Sequence, residues 1–306
     1  MSARAAASEG HLEASRGVRL GYRIVGTGPD TLIVIHGGPG FTFDYLATDL
    51  EPLAARHALV FYDQRGTGRS TLVSDSAGLA PDLFAEDLEA IRRHLRLERV
   101  NLLGHSWGAA VVALYSQKYP ERVGRLLIVA GVPLTMAGLE QSFGAMQSAR
   151  DTAEVARMEA AMAARRADPT DKAACRAYYA IWFRPFFADV ASAGRSRGDI
   201  CAGSPESMRN KMASVDRYVF PSLGAYDWRP MMRGVRAPTL IIHGSEDPLL
   251  VEFAREWAAT LPNSRILVLE GIGHFPYVEA PDRFFPAVDR FLTGAWPGGA
   301  AGVEAP

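Results

Sequence analysis

Residues 104–108 read Gly-His-Ser-Trp-Gly and join an apolar run, 99–103, to a second apolar stretch, 107–119. Glycine two positions before and two after a serine relieves crowding at a very sharp strand-to-helix turn. Such a turn lifts the serine above its sheet at the positive end of a helix. Ser106 is therefore the expected nucleophile. A serine hydroxyl is a poor nucleophile at neutral pH and needs a base that a third group orients.

Seven histidines could supply that base. His11 and His57 fall near element ends and read as solvated. His94 lies on a helix among arginines and reads as surface. His105 adjoins the serine, but its side chain should leave the turn in another direction. His243 closes a strand and reads as a satisfied structural residue. His274 differs, because Gly271-Ile272-Gly273-His274-Phe275-Pro276 is a glycine-loosened loop after the last strand and can reach back over the sheet. Asp247, in Gly244-Ser245-Glu246-Asp247-Pro248, follows the preceding strand at the same carboxyl edge, with Glu246 as the rival acid. Open α/β sheets place their sites at that edge. No H-E-x-x-H or paired Cys/His spacing occurs, so neither a metal nor another cofactor is expected.

The elements that must hold these groups follow from the pattern. Runs at 18–25, 31–35, 58–62, 99–103, 125–130, 239–242 and 265–269 read as strands, with a weaker one at 11–14. Five are continuously apolar, as strands buried on both faces of a parallel sheet must be. The alternation in 18–25 suits an antiparallel hairpin at one edge. Helices are expected at 43–55, 82–97, 107–119, 250–260 and 281–293; the second carries Leu83, Phe84, Leu88, Ile91 and Leu95 on one stripe. Strand–helix alternation predicts a doubly wound sheet. It breaks between 133 and 227, a helix-prone stretch read as a cap inserted into a core of 1–132 and 228–306. Its aromatic centre supplies Tyr178, Tyr179, Trp182, Phe183 and Phe187 as candidate substrate-binding residues.

The chain has 306 residues, a formal net charge of −1 and 22% charged residues. A near-neutral balance gives no electrostatic reason to expect nucleic acid or an anionic membrane as partner. No run of about 18 apolar residues occurs, so no membrane span is expected. Met1–Ala5 lacks the apolar segment of a leader, and the expected location is cytoplasmic. Cys175 and Cys201, the two cysteines, read as free thiols. The tail Pro297–Gly302 reads as frayed. Oligomeric state is not legible.

Four blocks then carry a resemblance: His36-Gly37-Gly38-Pro39-Gly40, Asp63-Gln64-Arg65-Gly66-Thr67-Gly68-Arg69-Ser70, Gly104-His105-Ser106-Trp107-Gly108 and Gly273-His274-Phe275-Pro276. With the chain order Ser…Asp…His, the sequence resembles the α/β-hydrolase superfamily and, within it, the proline iminopeptidase-like branch. The resemblance implies an α/β-hydrolase fold: a mostly parallel eight-stranded sheet, helices on both faces and an inserted helical cap. It also implies an oxyanion hole from the backbone N–H groups of Gly38 and Trp107. Arg65 and Asp63 are expected to brace their loop. The function implied is a serine hydrolase cleaving a small amide, short peptide or ester, with a carboxylesterase, a lactonase or a low-turnover ligand receptor as alternatives. One departure stands out. Proline iminopeptidases hold the substrate's amino terminus with cap acids near a tryptophan, but Trp182 is followed by Phe183-Arg184-Pro185. Glu140, Glu154, Glu159, Glu206 and Asp216 remain as possible substitutes.

Overall fold

The structure, a computed structural model, describes residues 7–303; the leader reading at Met1–Ala5 lies outside the described residues. Eight strands run β1 (Ala7–Glu13), β2 (Arg19–Val25), β3 (Asp30–Ile35), β4 (His57–Tyr62), β5 (Val100–His105), β6 (Val123–Val129), β7 (Thr239–Gly244) and β8 (Ser264–Leu269). They form one sheet in the order β1-β2-β4-β3-β5-β6-β7-β8. Strands β3 to β8 pair in parallel, and the β1–β2 hairpin joins β4 antiparallel. The apolar runs explain this arrangement: all six residues of β7 are buried, as a strand covered on both faces requires. In β1 only Leu12 is buried, which is why its periodicity signal is weak and its start, at Ala7, is not legible.

Between the strands lie α1 (Asp44–Leu50), α2 (Pro81–His94), α3 (Gly108–Lys118), α4 (Met136–Ser148), α5 (Thr152–Ala167), α6 (Lys172–Trp182), α7 (Pro205–Asn210), α8 (Asp216–Ser222), α9 (Arg229–Met232), α10 (Val251–Thr260), α11 (Pro276–Glu279) and α12 (Pro281–Leu292). Two apolar layers sandwich the sheet. One gathers Phe84 and Leu88 of α2, Val111 and Tyr115 of α3 and Trp257 of α10. The other gathers Leu46 and Leu50 of α1 with Phe284, Val288 and Phe291 of α12. Helices α4 to α8 are inserted between β6 and β7. Entry and exit of this segment lie side by side, with Thr135 and Asp227 forming an antiparallel bridge. Met136 N–H donates to Tyr226 O at 3.0 Å, and Trp228 N–H to Leu134 O at 2.9 Å.

Two expectations are corrected here. Cys175 and Cys201 are not free thiols but a disulfide, joining α6 to the segment before α7. Both are buried among Tyr178, Tyr179 and Met208, and that packing holds them together. The tail is not frayed either: Ala301 bridges Ile266 with both backbone bonds at 2.9 Å. It thereby occupies groups that edge strand β8 would otherwise expose.

The loop after β4 is fixed from below, as its arginine suggests. Arg65 is buried and forks onto Asp87 of α2 at 2.7 and 2.5 Å. It also donates to Gly78 O at 3.0 Å and Ser15 Oγ at 3.1 Å. Removing one partner of such a pair leaves an uncompensated buried charge, costing about 3–5 kcal/mol. Arg65→Met should lower stability by that amount in urea denaturation at neutral pH. Arg65→Met/Asp87→Leu should recover most of the loss.

Candidate active site

Ser106 follows β5 directly, two residues before α3, in the left-handed conformation (φ 56). Non-glycine residues adopt this region at a cost and cluster at functional sites when they do. The turn is held by Ser106 N–H donating to Val129 O at 3.0 Å, while Ser106 O accepts from Ala109 and Val132 N–H. Gly104 allows it, since a Cβ there would lie 2.7 Å from the Gly108 carbonyl carbon and oxygen.

His274 arrives from the loop after β8 and Asp247 from the loop after β7. The His274 ring nitrogen Nδ1 lies 2.8 Å from Asp247 Oδ2, both side chains buried. Leu249 N–H donates to the other carboxylate oxygen at 2.9 Å. Burial acts to raise the Asp247 carboxyl, but the neighbouring His274 and His243 rings and these two donors hold it below the ordinary carboxylate value. An ionised Asp247 accepts, so Nδ1 carries the proton and Nε2 is left as the basic nitrogen. Glu246 is exposed, and among the described residues its carboxylate meets Ser245 Oγ, at 3.2 Å, and not His274.

Other histidines depart from expectation. His57 is buried, not solvated, and meets Asp289 at 3.1 Å. His243 is not satisfied: it is buried 3.6 Å from Asp247, and neither ring nitrogen has a hydrogen-bond partner among the described residues. His105 is the residue that sequence reasoning missed. Its Nε2 lies 3.1 Å from His274 O and its Nδ1 2.7 Å from Tyr45 Oη. The carbonyl can only accept, so Nε2–H donates to it and Tyr45 O–H donates to Nδ1. Tyr45 Oη in turn accepts Gly37 N–H at 2.7 Å. Burial and the nearby His274 push the His105 ring down to about 3, so it stays neutral. No sequence signal marks Tyr45, which lies on α1.

The His36–Gly40 loop brings Gly38 (φ 126) beside the same turn, with a cis peptide to Pro39. The backbone N–H groups of Gly38 and Trp107 have no protein acceptor among the described residues. The Trp107 indole donates to Gln64 Oε1 at 2.9 Å, and Gln64 Nε2 donates to His36 O at 2.7 Å. Asp63 accepts the N–H groups of Phe43 and Arg69 at 2.9 and 2.8 Å. The 63–70 block is therefore bracing for the loops that carry Gly38 and Trp107.

A cavity of about 310 Å³ opens over Ser106 and His274. Of the candidate substrate-binding residues, Tyr178, Tyr179, Trp182 and Phe183 line it, together with Phe41, Phe186 and the charged Arg165, Lys211 and Asp216. Phe187 does not line it; its ring is stacked on Phe275 at 4.8 Å, one residue from His274. Among the acids weighed for an amine site, Glu140, Glu159 and Glu206 are exposed. Glu154 is buried but is bonded to Arg150 at 2.7 Å. Asp216 alone of the five reaches the cavity, and Lys211 Nζ holds it at 2.5 Å. Among the described residues, no helix is long and apolar enough to cross a membrane, and no group of three or more His, Cys, Asp or Glu could hold a metal.

Residues 30–281 match the α/β hydrolase fold family. A proline iminopeptidase of Heyndrickxia coagulans is 26% identical over 282 residues, which span 87% of this chain and 91% of that protein. Among solved structures, a proline iminopeptidase of Mycobacterium smegmatis has TM-score 0.67 at 22% identity, covering 94% of this chain and 98% of that one. An esterase from a Rhodococcus species has TM-score 0.69 at 19% identity, covering 94% and 99%. The family match takes in most of the sequence, from β3 to the start of α12: the chain belongs to the α/β hydrolase family and is a hydrolase enzyme.

Proposed function

We propose that the protein is a serine hydrolase that cleaves small esters through an acyl-enzyme on Ser106, with residues 133–227 serving as the cap over its pocket. The observation that carries this reading is that His274, held at 2.8 Å by the buried Asp247, lines one cavity with a serine in the left-handed conformation. His274 Nε2 takes the Ser106 proton as the hydroxyl attacks the substrate carbonyl, and Asp247 stabilises the resulting imidazolium. The N–H groups of Gly38 and Trp107 receive the oxyanion, each worth about 3 kcal/mol to the transition state. His274 returns the proton to the leaving alkoxide. Water then attacks the acyl carbonyl with His274 again as base, releasing the acid and free Ser106.

A second reading, an aminopeptidase acting on short peptides, is supported by the relatives named proline iminopeptidase. It needs a cap carboxylate free to meet an α-ammonium group, whereas Asp216 is already paired with Lys211. That pairing favours the ester.

Ser106→Ala should lower kcat by roughly 10⁴- to 10⁶-fold with an unchanged circular dichroism spectrum. A fluorophosphonate should label the wild type and not the variant; labelling that persists would show a different nucleophile. Asp247→Asn should depress kcat by about 10⁴-fold, because asparagine supports the wrong imidazole tautomer. Glu246→Gln, on the exposed neighbour, should stay near wild-type activity.

A further inference from the structure

The cavity holds more positive charge than its own carboxylate balances. Arg165 of α5 is only 4% exposed, yet it makes no salt bridge or hydrogen bond among the described residues, and its Nε is without a partner. The other buried arginines differ: Arg65 is bonded to Asp87 and Arg150 to Glu154. What Arg165 does have is two aromatic faces, its guanidinium carbon lying 4.9 Å from the Tyr178 ring and 4.8 Å from that of Tyr179. These rings offset part of the desolvation of a cation but accept none of its N–H bonds.

Lys211 lines the same cavity. It opens a π-helical turn, Lys211–Val215, between α7 and α8, a local form that recurs at functional sites. Its stem packs against Gly40, where a Cβ would lie 2.8 Å from Lys211 Cγ, and its Nζ lies 5.0 Å from the Phe41 ring centroid. Asp216 neutralises Lys211 at 2.5 Å, which leaves the Arg165 guanidinium uncompensated.

We propose that Arg165, with Lys211 beside it, is a carboxylate-binding subsite, and that the substrates of this hydrolase are esters carrying a second, distal carboxylate. The inference rests on the Ser106 reading for its chemistry but not for its binding. A planar guanidinium with free donors in an apolar, partly closed pocket matches a carboxylate in both charge and shape. It would reject an α-ammonium group by like charge.

The experiment compares p-nitrophenyl half-esters of linear dicarboxylic acids, from succinate to suberate, with the same compounds capped as methyl esters. In wild type at least one half-ester should exceed its capped partner in kcat/KM by about 10- to 100-fold, the range for hydrogen bonds to a charged group. Arg165→Met should bring that ratio close to one, and Arg165→Lys should keep part of it. Lys211→Met, a second variant should Arg165→Met fail to fold, should reduce the ratio several-fold. Binding of the same pairs to Ser106→Ala, read by calorimetry, should show the same preference without turnover. Equal binding of charged and capped compounds, a preference that survives Arg165→Met, or faster cleavage of alanine or proline arylamides would overturn the subsite. A wild type that neither takes the fluorophosphonate label nor turns over any ester, with the binding preference intact, would instead sink the Ser106 reading.

Discussion

The approach of helix α3 to strand β3 depends on the absence of one side chain. A Cβ at Gly108 would lie 2.2 Å from the carbonyl oxygen of Ile35, and Ile35 is the last residue of β3. With hydrogen there instead, the start of α3 can close on the end of β3, and the turn before α3 and the loop after β3 come together. The same closeness recurs at Gly37, where a Cβ would meet Ser106 Cβ at 3.0 Å. The serine turn and the Gly38 loop are thus close neighbours, as the proposed oxyanion site made of two backbone N–H groups requires. Flexible side chains could not hold such donors as rigidly.

Tyr45 and His105 extend that rigidity to His274. Gly37 N–H, Tyr45 Oη, the His105 ring and His274 O form one continuous hydrogen-bonded chain. It crosses from the loop after β3, through α1 and β5, to the loop after β8. Every buried polar atom along it has a partner, and a chain satisfied in this way specifies one geometry. His105 can serve only as a neutral ring, since both of its nitrogens have fixed and opposite roles; its low proton affinity keeps it so.

Most of the sheet was legible because strands buried on both faces leave continuous apolar runs; β7, with all six residues buried, is the clear instance. β1 was faint because six of its seven residues are not buried, so neither apolar alternation nor a run marks it. The serine, acid and histidine positions were visible because glycine-flanked turns at strand ends are local features. The Tyr45–His105 link was not, since its partners are 60 residues apart and only the fold brings them together. The Cys175–Cys201 bond failed for a related reason: cysteine spacing carries no statement about whether α6 packs on the segment before α7. The misplaced Phe187 shows the limit of composition. An aromatic cluster predicts a pocket wall, but which rings face inward depends on where α6 ends, at Trp182, and how the following residues turn.

The division of labour between core and insertion follows from this connectivity. Ser106, Asp247, His274 and the Gly38 loop all belong to strand ends of the sheet, whose spacing is fixed by main-chain ladders. Arg165, Lys211, Trp182 and Asp216 all belong to a segment whose two ends meet the core at the Thr135–Asp227 bridge. That neck is reinforced by Tyr226 stacked on Trp228, with ring centroids 4.0 Å apart. Changes in the helices between its ends therefore alter the charge and shape of the cavity without reaching the ladders that position Ser106, Asp247 and His274. On such a scaffold the proposed chemistry would be held by the sheet, and substrate choice by the side chains that the inserted helices bring over it. An unpaired cation in the roof follows that logic: the sheet does not need it, and a bound carboxylate, as proposed, would accept its N–H groups and balance its charge.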